Sequence, residues 1–370
     1  MITAPVPLPV SSPPFHRLAA RMGRAMRALI DALTPREAAR PAPRAAVSPV
    51  PARPACGVPA VPRASAVPAV PAAIPAAIPA VPPRPGAPLI EDAVGPGRGN
   101  RPADVAMIQR LIEIARTRGA LPSGPPLAAD GAFGPATAAA LRAAQVALIP
   151  RAGHPAGGGA DARAGHSADS AADGAADPRG ALIGALRAAA LPQGPSMQLL
   201  ALLWPSAPAR RLARLGPALL AMMARRGIAS DLRVAHFLAQ TGHESGQLRW
   251  LEELASGAAY EGRRDLGNTR SGDGVRFKGR GLIQLTGRAN YARFGAALGC
   301  TAEVLADPAI VADDPILAVE TAGWFWHATG LHVHADCDDL TALTRRVNGG
   351  TNGLLERAAM LARAKALLGM

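Results

Sequence analysis

The chain has 370 residues, of which 39 are glycine and 37 proline, and a net charge of +13. That glycine and proline load is too high for one compact body throughout and implies long stretches outside any core. Three cysteines without a CxxC or Cys/His cluster exclude a disulfide framework and a structural zinc site, and no run reaches the ~18 apolar residues of a membrane span.

Residues 14 to 34 carry the first helical pattern of the chain. Phe15, Leu18, Met22, Met26, Leu29 and Leu33 recur at helical spacing, with Arg17, Arg21, Arg24 and Arg27 between them. A basic amphipathic segment over 1–40 is therefore expected, able to lie on an anionic membrane surface or to dock on a partner. The N-terminus lacks the uninterrupted apolar core of a signal peptide. Synthesis in the cytoplasm is expected, with another route to any target beyond it.

Residues 41–88 repeat proline every three or four positions ("AVPAVPAAIPAAIPAVPPRP"), which rules out helix and sheet ladders. A disordered, semi-rigid polyproline spacer is expected there. Residues 89–148 regain periodicity: Val105, Ile108, Leu111, Ile112 and Ala115 form one helical stripe. Asp130-Gly131 marks a turn, and Gly134-Pro135 opens a second helix with proline at its first position. Residues 149–180 are rich in Gly, Ala, Asp and His without a period and are expected to be a flexible linker, His154 and His166 included.

Residues 181–370 carry helical stripes at Leu199, Leu200 and Leu203, at Leu219, Leu220 and Met223, at Leu340, Leu343 and Val347, and at Leu354, Met360 and Leu361. A short hairpin near 275–286 is the one strand-like feature. The fold class expected is mainly α, with no cofactor or metal, and the protein is expected to be a monomer.

Within this region, "TGHESGQLRWLEELASGAAYEGR" (241–263) places Glu244 at the end of a run that reads as a buried helix, Val234 to Ala239. A carboxylate there is costly unless it has a task. Glu244 and Glu253 would face opposite ways on one continuous helix, so they can serve one cleft only if the helix breaks at Ser245-Gly246. Such a pair suits glycoside hydrolysis: one carboxyl is kept protonated by an apolar surround and the other is ionised to activate a water. Glu252, Glu261 and Asp265 follow closely, and acidic residues at a helix end are more often simply solvated. The glycine-rich run "GDGVRFKGRGLIQLTGRANY" (272–291) is no phosphate loop, as GxxxxGK[ST] is absent. It brings uncharged hydrogen-bonding groups, Gln284, Thr286 and Asn290, that suit sugar hydroxyls. Tyr260 and Tyr291, the chain's two tyrosines, offer faces for stacking on sugar rings or for core packing. "RRVNGGTNG" (345–353) is a further turn that could hold a ligand or merely reverse the chain.

Taken together, "FLAQTGHES", "YEGRRDLGNTRSGDGVRFKGRGLIQLTGRANY", "GWFW" and "TRRVNGGTNGL" resemble, in order and over about 190–370, the family 19 glycoside hydrolases. These are chitinases and their relatives among phage endolysins, and the endolysin branch is the nearer. The resemblance implies a lysozyme-like helical catalytic domain with a deep cleft and an inverting mechanism. It implies Glu244 as general acid and Glu253 as general base, with Glu261 a rival and Glu252 a distant third. It also implies Thr286 as the holder of the attacking water, Gln284 and Asn290 as substrate contacts, and Asn348 as part of the cleft wall. His243 is expected to orient the helix end, and Trp324 and Trp326 to lie in the core.

"VAMIQRLI" and "DGAFGPATAAALRAAQ" resemble the small three-helix peptidoglycan-binding domain, although Ala144 stands where that family usually has an aromatic residue and the segment between its helices is long. The expected function is a modular, endolysin-like peptidoglycan hydrolase acting on the wall in the periplasm, with a chitinase or a secreted wall-degrading effector as alternatives. The positive charge suits an anionic polymer. The arginines follow no nucleic-acid-binding motif, and no nucleic-acid partner is expected.

Overall fold

The computed structural model describes residues 88–149 and 173–370. The basic segment and the proline-rich spacer lie outside the described residues, except for the spacer's last position. Among the described residues the fold is mainly α, without a named strand. Three isolated bridges, Val94 with Ala176, Glu252 with Arg280 and Arg280 with Leu285, are the β-type pairings.

Two helices fill the 89–148 region: α1 (Pro102–Thr117) and α2 (Pro135–Leu148), each with proline in its first turn, where the missing N–H costs nothing. The stripe Val105, Ile108, Leu111, Ile112 and Ala115 is fully buried. The Asp130-Gly131 turn is tied down by Gln109, whose amide nitrogen donates to Asp130 Oδ1 (2.9 Å) while its oxygen accepts from Gly131 N (3.0 Å).

The third helix of this cluster is α3 (Ala181–Ala190), which packs on both α1 and α2. Just before it, Val94 and Ala176 exchange backbone bonds of 3.0 and 2.7 Å. The boundary drawn on composition at 181 therefore falls before a helix whose apolar face belongs to the N-terminal cluster. Residues 173–180, expected to be linker, are in contact with it. Composition misled because Asp173-Gly-Ala-Ala carries no period, although Ala175 and Ala176 are buried.

The remaining helices follow the expected stripes: α4 (Met197–Leu203), α5 (Ala209–Arg225) and α6 (Asp231–Glu244). Ser196 caps α4 and Ser230 caps α6, each accepting a backbone N–H of the first turn. After a stretch of turns come α7 (Asp273–Arg276), α8 (Arg288–Leu298), α9 (Thr301–Ala306) and α10 (Ile310–Asp313). The chain finishes with α11 (Pro315–Ala328), α12 (Leu331–Asp336), α13 (Leu340–Asn348) and α14 (Leu354–Leu368).

One apolar core runs from Ile90 through Leu238 to Leu367 and joins the N-terminal cluster to α4–α6 and α11–α14. A smaller core of Phe277, Leu285, Tyr291, Phe294 and Val304 holds the 277–317 region. Trp326 is buried with its ring edge-on to Phe237, and Trp324 packs edge-on to Phe294. Both tryptophans thus serve packing, as expected. The hairpin expected near 275–286 reduces to one tight pairing, in which Arg280 and Leu285 exchange backbone bonds of 3.1 and 2.8 Å. α6 and α14 form the most extensive helix pair of the fold, and this pair positions the site.

Candidate active site

α6 buries Val234, Phe237 and Leu238 on its apolar side. His236, Gln240 and Glu244, spaced by four, share another face of the same helix and form a polar seam. The helix ends at Glu244. Ser245 Oγ donates to Thr241 O (2.7 Å) and accepts from Leu248 N (2.9 Å). Gly246, Gln247 and Leu248 then take left-handed φ values of 56°, 58° and 66°. Three such residues in succession, two bearing a Cβ, are costly. They turn the chain sharply away from the helix axis, so the break expected at Ser245-Gly246 is present.

Glu244 does not meet the apolar surround that the sequence suggested. Its carboxylate, about one-fifth exposed, forms an ion pair with the buried guanidinium of Arg357, from the first turn of α14. Arg357 also donates to Gln240 Oε1 and, over 3.3 Å, to the carbonyl of Asn352. Gln240 in turn donates to Thr344 Oγ1 of α13 (3.1 Å). Asn348 closes the far side, its Nδ2 donating to the same Asn352 carbonyl (2.9 Å) and its Oδ1 accepting from Gly350 N (2.9 Å). The Asn348 turn is therefore built into the surroundings of Glu244.

His243 packs against Gly353, where an added Cβ would stand 2.2 Å from its ring. Burial, followed by the Arg357 charge, keeps its pKa below the usual histidine value. A neutral imidazole wedged against the start of α14 agrees with an orienting role.

Glu253 has a different setting. The chain from Leu251 to Glu253 lies beside Gly279–Gly281, with Gly281 N donating to Leu251 O (2.8 Å) and Glu253 N to Gly279 O (2.9 Å). One carboxylate oxygen of Glu253 accepts from Tyr260 Oη (2.9 Å), the other from Gly279 N (3.1 Å). Among the described residues no cation pairs with this carboxylate, although Lys278 Nζ donates to the Glu253 backbone carbonyl at 3.1 Å. Tyr260, half-buried, has its phenol pushed up to about 12, by burial first and then by the Glu253 hydrogen bond and charge. It stays protonated as a donor and holds Glu253 by its hydroxyl.

Gly279 is where the second half of the site converges. A Cβ there would lie 2.8 Å from Gln284 Oε1 and 3.3 Å from Glu253 Oε2, so no larger residue fits without displacing one of them. Gln284, at φ 55°, donates to Gly281 O (3.2 Å). The Thr286 hydroxyl donates to Gln284 O (2.8 Å), and Asn290 Nδ2 donates to Thr286 O (2.8 Å). Asn290 Oδ1 is buried with no hydrogen-bond partner among the described residues. Glu253 and Tyr260 are thus paired beside Gly279; Gln284, Thr286 and Asn290 are chained by hydrogen bonds on its other side; and Glu244, Arg357 and Asn348 form a further set.

Three sequence candidates take other roles. Tyr291 is fully buried, edge-on to Phe277, with its hydroxyl donating to Lys278 O (2.8 Å). Its ring is core and cannot stack on a sugar; an aromatic in a glycine-rich stretch gave no clue to which face it would take. Glu261 spends both oxygens on the backbone N–H groups of Gly272 (2.7 Å) and Gly274 (2.8 Å), which fixes the turn that opens α7. Glu252 is nearly half exposed and paired with Arg280 (3.0 Å) and Lys278 (3.4 Å). Arg357 and Gln240 carried no assigned role in the sequence. The available signal was an arginine on the apolar stripe of α14 (Leu354, Leu361, Ala364), where a charge needs a buried partner. Among the described residues no group of three or more His, Cys, Asp or Glu could hold a metal ion.

The comparisons with known proteins bear on this arrangement. The family profile described as Chitinase class I matches residues 224–342, which includes both carboxylates. A Haemophilus influenzae protein described as a glycosyl hydrolase family 19 domain-containing protein is 34% identical, over 39% of this chain and 84% of that protein. The chain belongs to glycoside hydrolase family 19. As a member it is a chitinase-like glycosidase that hydrolyses glycosidic bonds in a polysaccharide. An Arabidopsis thaliana endochitinase, At2g43620, is 37% identical over 34% of this chain and 42% of its own length, so the match spans less than half of that plant enzyme. Among solved structures, chitinase C from Streptomyces griseus HUT6037 is similar at 25% identity and a TM-score of 0.39, covering 48% of this chain and 93% of its own.

Proposed function

We propose that this family 19 enzyme is a peptidoglycan hydrolase, cleaving the β-1,4 bond between N-acetylmuramic acid and N-acetylglucosamine with inversion. The observation that carries the mechanism is the contrast between the two carboxylates. Glu244 ends a buried helix against a buried arginine, and Glu253 is gripped by two neutral donors, the Tyr260 hydroxyl and Gly279 N. In the proposed reaction Glu244 gives its proton to the glycosidic oxygen as the C1–O bond breaks. Water, held by the Thr286 hydroxyl, attacks C1 from the opposite face and loses its proton to Glu253. Inversion of this kind needs carboxyl groups about 6.5–9.5 Å apart to admit the water. Arg357 holds the Glu244 carboxyl in place at the end of its helix, so the glycosidic oxygen meets an acid that is already oriented.

Peptidoglycan is preferred as substrate for two reasons. The helices at 102–148 carry the sequence pattern of a small wall-binding domain. The net charge of +13 also favours an anionic wall over neutral chitin. A fixed binding unit raises the effective concentration of the cleft at its polymer. The site of action would be the wall in the periplasm, with the basic segment at 14–34 meeting an anionic membrane surface on the way. Chitin is the second reading, favoured by relatives named as endochitinases.

The deciding experiment gives the full-length protein purified Gram-negative sacculi and chitin hexasaccharide, with products read by mass spectrometry. Muropeptides with new reducing N-acetylmuramic acid ends, and slower turnover of the hexasaccharide, are expected. Efficient hexasaccharide cleavage with intact sacculi would replace this reading by the chitinase one.

A further inference from the structure

The seam on α6 extends inward from Glu244. His236, eight residues earlier and fully buried, places Nε2 2.8 Å from Asp338 Oδ1. Lys365 of α14, eight residues beyond Arg357, reaches the same carboxylate with Nζ at 2.6 and 2.5 Å from its two oxygens. Asp338, between α12 and α13, sits at φ 57°, a conformation that aspartate tolerates only at some cost. Two polar ties therefore join α6 to α14. One, at the cleft, is Glu244 with Arg357. The other, eight residues or about 12 Å along each helix, is His236 and Lys365 bridged by Asp338. Gln240, midway on α6, is bound to both Arg357 and Thr344 of α13, the helix that starts just after Asp338 and ends at Asn348.

We propose that Asp338 is a positioning residue for hydrolysis: its bridge between His236 and Lys365 sets the register of α6 against α14, so that Arg357 meets Glu244. Three observations support a positioning role over simple surface pairing. Asp338 holds one residue from each of the two helices that supply the Glu244–Arg357 pair. His236 is buried and has no second partner, as its Nδ1 is unpaired among the described residues, so the carboxylate alone anchors it. Helices that pack over their whole length transmit a shift at one end to the other, because close-packed cores repack rather than stretch. A misplacement of about 1 Å at a reacting group can cost about 100-fold in rate.

This inference rests on the assignment of Glu244 as the acid. It is tested with the full-length protein on whichever of sacculi or chitin hexasaccharide the wild type turns over. Asp338→Asn is expected to lower kcat about tenfold or more with KM within about twofold, well below its melting temperature. Asp336→Asn, which breaks the neighbouring Arg233–Asp336 surface pair (2.6 Å), is the control and should leave kcat within about twofold. In an Arg357→Lys background the Asp338→Asn effect should shrink to less than about threefold, since both changes act on one contact. Asp338→Glu should recover part of the rate, and Lys365→Gln should reproduce the loss if Asp338→Asn does not fold. A kcat loss no larger than that of the control, or full additivity with Arg357→Lys, overturns the proposal. Glu244→Gln is measured alongside; wild-type turnover in that variant refutes the acid assignment instead, whatever Asp338→Asn does.

Discussion

Arg357→Met removes the charge that faces Glu244 while keeping most of the side chain's length. The guanidinium is 2% exposed and serves three acceptors: Glu244, Gln240 and the Asn352 carbonyl. Breaking a fully buried ion pair costs about 3–5 kcal/mol. Two features reduce that figure here. Glu244 is one-fifth exposed, so its carboxylate can recover water, and Asn352 keeps its bond from Asn348. Gln240 has no such relief: it is 1% exposed, and its oxygen is left bare at about 1–3 kcal/mol. A net loss of about 2–3 kcal/mol is expected, roughly 4–12 °C in melting temperature for a body of this size. It can be read by urea denaturation at neutral pH and by calorimetry. Among folded molecules kcat should fall about 100-fold, with KM little changed, because the acid loses its orienting partner. A variant that melted within about 1 °C of wild type and kept its kcat would refute the reasoning, since Arg357 would then neither hold the helix pair nor set the acid.

Tyr260→Phe removes one of two donors to the Glu253 carboxylate and should lower kcat about tenfold, at about 1 kcal/mol in stability; steady-state kinetics and a thermal melt check it. The chain has two tyrosines, one pushed up to about 12 and the other also raised by burial. Ultraviolet titration of the folded protein should therefore show no phenolate step near pH 10, whereas unfolded chain titrates there. Because both pKa values are raised on folding, their contribution to stability is present below about pH 10 and is lost as pH climbs through the folded values. Glu261→Gln should cost stability with at most a few-fold loss in kcat, whereas Glu253→Gln should abolish turnover; equal losses would reopen the choice of base. The Asp273 carboxyl is held below its usual range, first by the Arg288 hydrogen bond. Its contribution is present above about pH 4 and lost as pH falls through the depressed value. Asp273→Asn should therefore destabilise at pH 7 and approach wild type in acid, as followed by urea midpoints across pH.

The helices were legible because their apolar residues recur at helical spacing and their starts carry Ser, Asp or Pro. Ser230 before α6 and Gly134-Pro135 before α2 are local signals that the fold uses directly. α3 was not assigned to its neighbours, because its stripe of Leu182, Ile183 and Leu186 says only that one face is buried. What that face meets is a question of tertiary pairing, and glycine- and alanine-rich chain before it reads as linker whether or not it docks.

The site divides in the same way. The break after Glu244 was legible in Ser245-Gly246, and Gln284, Thr286 and Asn290 were singled out by the spacing of a known family. The partners of each carboxylate were not. Arg357 lies 113 residues beyond Glu244, and nothing local to either marks the pair. In sequence Glu253 was the expected base and Glu261 its rival, and the two differ by what the fold offers each. Glu253 accepts from one backbone N–H, that of Gly279, and from one phenol, that of Tyr260. Glu261 has both oxygens committed to the backbone N–H groups of Gly272 and Gly274 in a tight turn. A carboxylate that closes a turn cannot leave it to meet a water without opening the chain around it. That difference supports the proposal of Glu253, rather than Glu261, as the base.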